Sequence, residues 1–118
     1  MPDELYVDEA TGVIKVRSYG IVSRNDIAVS MEKTRQIMEQ KGIKKVLVDT
    51  LDQETMPGTF DVFQLFSTLP RDIRAALVVQ DNQVTAEGQR FAETVSLNRG
   101  IQVRIFQSED EALRWLMG

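Results

Sequence analysis

A chain of 118 residues, 42% of them hydrophobic, reads as one domain spanning 1–118, and folding at this size buries about two thirds of the unfolded surface. It has no cysteine and no histidine, which excludes disulfides, thiolate metal sites, thiol nucleophiles and the commonest general base. Its 18 acidic against 14 basic side chains leave a net charge of −4, which argues against a nucleic-acid binder. No apolar run approaches the ~20 residues of a membrane span, and Met1-Pro2-Asp3-Glu4 is too acidic for a signal peptide. These features predict a soluble, cytoplasmic, non-enzymatic protein without a cofactor.

Leu5-Tyr6-Val7-Asp8 and Val13-Ile14-Lys15-Val16-Arg17-Ser18-Tyr19 alternate apolar and polar residues around Glu9-Ala10-Thr11-Gly12, the pattern of an antiparallel hairpin. Leu5, Val7, Ile14 and Val16 share one face, and Tyr6, Asp8, Lys15 and Arg17 the other. Ser23 and Asp26 form a short capping box that opens a helix. Ile27, Met31, Thr34 and Met38 follow at helical spacing. Gly42 stands where a left-handed terminating residue is wanted, with Ile43 closing onto Met38. Lys41, Lys44 and Lys45 read as a solvated helix end that suits the helix dipole.

Lys45-Val46-Leu47-Val48-Asp49 and Arg74-Ala75-Ala76-Leu77-Val78-Val79-Gln80 are nearly continuous apolar runs, the mark of central parallel strands. Between them Thr50 to Gly58 reads as a polar loop and Thr59 to Leu69 as a very apolar helix that Pro70 ends. A further helix is predicted from about Thr85 to Arg99, closed by Gly100. Ile101, Val103 and Ile105 then alternate with Gln102 and Arg104, an edge strand with one wet face. Ser108 and Glu111 predict a second capping box, with Ala112, Leu113 and Leu116 facing inward and Trp115 at the sheet margin.

The order β-β-α-β-α-β-α-β-α predicts an α/β fold with a five-stranded mixed sheet, an N-terminal antiparallel hairpin followed by parallel strands. Right-handed crossovers place its four helices mainly on one face. The opposite face would carry Val13, Lys15, Leu47, Ala76, Val78, Gln102 and Arg104, a mixed surface that a second copy of the chain could cover.

At Tyr19-Gly20-Ile21-Val22-Ser23, at Val46-Leu47-Val48-Asp49, and above all at Asn98-Arg99-Gly100-Ile101-Gln102-Val103-Arg104-Ile105-Phe106 followed by Glu111-Ala112-Leu113-Arg114-Trp115-Leu116, the chain resembles the STAS family of sulfate-transporter and anti-sigma-factor-antagonist domains. It is most similar to the small stand-alone bacterial branch. The resemblance implies a β-α superhelix and a regulatory, protein-binding role. In antagonist members a serine in an Asp-Ser-x-Gly-like setting at the start of the second helix is phosphorylated to release a partner kinase. Here that stretch reads Glu54-Thr55-Met56-Pro57-Gly58-Thr59-Phe60-Asp61. It has no Asp-Ser pair, and Thr59 is the nearest hydroxyl, either an ordinary N-cap or a phosphorylation site.

The candidate partner- or ligand-binding residues are Met56, Pro57, Gly58, Thr59, Phe60, Phe63 and Phe66. The three phenylalanines fall along one helix side, and a helix apolar over most of its circumference either packs deeply on the sheet or meets a partner, a second copy or an apolar ligand. The leading expectation is therefore a non-enzymatic interaction module with a protein partner or a homodimer, the alternative a binder of a small lipid-like molecule. Asp49 and Asp81 end neighbouring strands, where α/β sheets place ligands. They read either as loop acids or as a magnesium-dependent phosphotransfer site, the third and lowest expectation.

Overall fold

The computed structural model describes residues 3–54, 69–80 and 100–118. In chain order the described elements are β1 (Asp3–Asp8), β2 (Val13–Gly20), α1 (Arg24–Lys41), β3 (Lys45–Gln53), β4 (Arg74–Val78), β5 (Gln102–Phe106) and α2 (Glu109–Met117). The strands form one sheet in sequential order, with β1 antiparallel to β2 and every later pair parallel. This is the predicted mixed sheet with its N-terminal hairpin. The helices expected at Thr59 to Leu69 and Thr85 to Arg99 lie outside the described residues.

Local chemistry places the ends of these elements. The Ser23 hydroxyl accepts the Asp26 N–H at 3.1 Å, and the Asp26 carboxylate accepts the Ser23 N–H at 2.9 Å, a complete capping box. Gly42 holds φ of 67°, the left-handed conformation that ends a helix cheaply only without a Cβ, and Gly100 holds φ of 76° just before β5. At α2 the Ser108 hydroxyl accepts the Glu111 N–H at 3.2 Å, but the expected return bond from the Glu111 carboxylate is not made. The cap is one-way, and the acidic first turn of Glu109, Asp110 and Glu111 adds its charge to the positive helix end.

The pleat sorts apolar side chains to two cores. On one face Ile14, Val16, Val46, Val48, Ala75, Leu77, Val103 and Ile105 pack with Met31 and Met38 of α1. On the other, Val13, Leu47, Ala76 and Val78 pack with Ala112 and Leu116 of α2. The expectation of helices mainly on one face meets a departure at α2, which lies on the face opposite α1. Crossover handedness constrains only a helix that connects two parallel strands, and α2 follows the last strand. Its apolar stripe goes to the face opposite α1, so this chain covers with its own end the apolar part of the surface that suggested a second copy.

A second correction concerns Thr50 to Gln53, read as the start of a loop but observed as the end of β3. A register shift between Arg17 and Tyr19 brings Tyr19 opposite Asp52 and Gly20 opposite Gln53. The bulge lets a polar stretch keep its ladder against β2 after β4 has ended. Where β3 outruns β4, side chains replace the ladder: the Thr50 hydroxyl donates to the Val78 carbonyl at 2.7 Å, and the Gln80 amide donates to the Leu51 carbonyl.

Candidate functional site

The carboxyl ends of β2 and β3 form a rim. The Gly20 carbonyl accepts the Glu54 N–H at 2.8 Å, tying the start of the β2–α1 connection to the point where the chain leaves β3. Two large side chains stand out from this rim, Ile21 at 72% and Tyr19 at 36% exposure, whereas Val22 beside them is buried. The Arg17 guanidinium lies 5.2 Å from the centre of the Tyr19 ring and bonds the Asp52 carboxylate at 2.6 Å, with Glu4 at 3.6 Å. The Asp52 hydrogen bond leads the forces that hold Arg17 above its ordinary pKa.

Below the rim, the half of the second face made by β1 and β2 is open. A concavity of about 270 Å³ lies there, lined by Glu4, Tyr6, Lys15, Val16, Arg17, Leu47, Asp49 and Glu109. Lys15 lies 3.4 Å from Asp8 on β1 and 3.4 Å from Glu109 on α2, so one ammonium ties the hairpin to the C-terminal helix. Partial burial disfavours that charge, but the Glu109 and Asp8 carboxylates outweigh it and raise the lysine pKa. Asp49 accepts the Leu51 N–H at 2.9 Å. These charges satisfy one another, and no described buried side-chain polar atom lacks a hydrogen-bond partner. A lining of this kind suits a solvated surface better than an apolar ligand.

The expected binding residues Met56, Pro57, Gly58, Thr59, Phe60, Phe63 and Phe66 lie outside the described residues, as does Asp81, so the Asp49–Asp81 pairing is not described. Among the described residues no three His, Cys, Asp or Glu side chains converge to hold a metal ion, and no helix is long and apolar enough to cross a membrane. Sequence reasoning missed Ile21 and Tyr19 as an exposed pair, although it quoted both. A lone isoleucine before a helix cap carries no periodicity to signal its exposure. The link from Arg17 to Asp52 was equally hidden, because it depends on the bulge.

No family model and no curated protein matches the sequence. Among solved structures the chain is similar to an uncharacterised Shewanella loihica protein of the DUF3478 family with a SpoIIAA-like fold. The two are 13% identical with a TM-score of 0.56, over 97% of this chain and 91% of that one. The chain therefore has a STAS-like α/β fold, as the sequence resemblance implied.

Proposed function

We propose that this chain is a non-enzymatic protein-interaction module of STAS type, and that its partner docks at the rim where β2 ends and β3 releases the chain. The observation that carries this reading is Ile21, 72% exposed beside a half-exposed Tyr19. An aliphatic and an aromatic side chain standing together above a charged surround supply the apolar centre and polar border of a small docking site. Met56, Pro57, Gly58, Thr59, Phe60, Phe63 and Phe66 follow two residues or more after Glu54, whose N–H is bonded to the rim. We assign them a partner-binding role as well. A phosphate on Thr59 would add close to two negative charges to the chain and weaken docking of an acidic or apolar partner.

The test compares wild type with Ile21→Asp, using Tyr6→Asp as an exposed control away from the rim. Each is bound to resin in a native lysate, captured proteins are quantified by mass spectrometry, and self-association is followed by sedimentation velocity. A charge at the centre of an apolar docking site costs about tenfold or more in affinity. One captured protein, or the self-associated species, is expected to fall by that factor in Ile21→Asp alone, with circular dichroism unchanged. Equal capture and equal sedimentation by all three proteins would refute the rim as the docking site.

A further inference from the structure

At the opposite end of the second face the charges are arranged differently. Lys45, Arg74 and Gln102 open β3, β4 and β5 side by side, and Arg104 stands two residues further along β5 on the same face. Trp115 of α2 lies over this corner. The guanidinium carbons of Arg74 and Arg104 are 5.8 Å and 5.7 Å from the centre of its ring, and the Phe106 ring lies 5.7 Å away. Arg74 also donates from Nη1 to the Trp115 carbonyl at 3.3 Å. Arg114 stands exposed next in sequence.

The indole thus holds two guanidinium groups in place and reduces the side-chain entropy each would lose on meeting an anion. Among the described residues no ion pair reaches Lys45, Arg74, Arg104 or Arg114. Two cations on one half-buried aromatic ring, without an ion pair among the described residues, are a sharp local departure in a chain of net charge −4. The arginine pair is a ready bidentate donor to carboxylates, and the ring supplies apolar contact beside them.

We propose that the Trp115 corner, with Arg74 and Arg104 stacked on it, is a second docking site that takes an acidic segment of a partner protein. A short stretch of glutamates beside an apolar residue matches both the cations and the ring, whereas a polyphosphate offers the ring no apolar group. This site is separate from the rim and does not depend on it.

Trp115 is the only tryptophan, so its fluorescence reports directly on the corner. A glutamate-rich peptide containing one leucine is titrated into the protein at low and at physiological salt, with a lysine-rich peptide and a thymidine oligonucleotide alongside. The expected result is a saturable emission change with the acidic peptide alone, weakened by salt. It weakens about tenfold in Arg74→Gln/Arg104→Gln and only partly in Arg74→Lys/Arg104→Lys, which keeps charge but loses the planar fork. If the double glutamine variant misfolds by circular dichroism, Arg104→Gln decides, since that side chain is exposed. Unchanged affinity in a folded glutamine variant overturns the site. Tighter binding of the oligonucleotide, an equal response to the lysine-rich peptide, or low-salt self-association abolished by the glutamines overturns the acidic-segment assignment.

Discussion

Leu116→Ala tests whether α2 is what covers the second sheet face. Leu116 and Ala112 are fully buried, as are Val13, Ala76 and Val78 beneath them, and Leu47 is 1% exposed. The substitution removes three carbons from that core, about 2.4 kcal/mol at roughly 0.8 kcal/mol per buried methylene. Incomplete collapse of the space adds up to about 1.5 kcal/mol, so the expected loss is about 2.5–4 kcal/mol. For 118 residues the unfolding entropy is roughly 250 cal/mol/K, and a loss of about 3 kcal/mol lowers the melting temperature by about 12 °C. Met117→Ala, one residue on but half exposed, is expected to stay within about 0.5 kcal/mol. Urea unfolding followed by circular dichroism at two protein concentrations measures both. A loss below about 1 kcal/mol for Leu116→Ala, or a wild-type midpoint that rises with concentration, would refute the reasoning, because the face would then be covered by a second copy.

Thr50→Val keeps shape but removes the hydroxyl that donates to the Val78 carbonyl. Loss of this one buried hydrogen bond makes the variant about 0.5–1.5 kcal/mol less stable in urea, and a change within error would show that the hydroxyl contributes nothing net. The Asp26 carboxyl is held below its ordinary pKa, chiefly by the Ser23 N–H and then by the Ser23 hydroxyl. Its stabilisation is therefore fully present above the unfolded-state value and is lost as pH falls through the lower folded value. Asp26→Asn should flatten the acid limb of the stability-against-pH curve, and parallel curves for the two proteins would contradict the capping box.

What was readable in the sequence was local. Gly42 marks a helix end because its backbone conformation is a property of a single residue. The alternation across β2 and β5 reports burial one pleat at a time. The side of the sheet on which α2 lies was not readable, since its stripe of Ala112, Leu113 and Leu116 fits either face. What decided it was that α1 had already filled the first. The length of β3 was hidden for a similar reason: Thr50-Leu51-Asp52-Gln53 has loop composition and becomes strand only through its pairing with β2. At the site, the chemistry of Lys15 and Arg17 was placed on the correct face, but their partners come from three different elements. Ile21 carried no signal at all.

The two docking surfaces follow from a mismatch of dimensions. A sheet of five strands is about 19 Å wide between its outer strands, whereas the nine residues of α2 make a helix only about 13 Å long. One such helix cannot cover the whole second face, and α2 lies on β3, β4 and β5. β1 and the part of β2 beyond Val13 lie outside its cover and carry Tyr6, Lys15 and Arg17 on that side, and the charges of Lys15 and Arg17 are paired by Asp8, Glu109, Asp52 and Glu4. A partner settling on that shelf would have to break those pairs and desolvate each member. At the rim and at the Trp115 corner that cost is smaller, because Ile21 is exposed hydrocarbon and Arg104 is an exposed cation without a carboxylate among the described residues. Binding is therefore expected at the two ends of the strands, on either side of a self-satisfied middle.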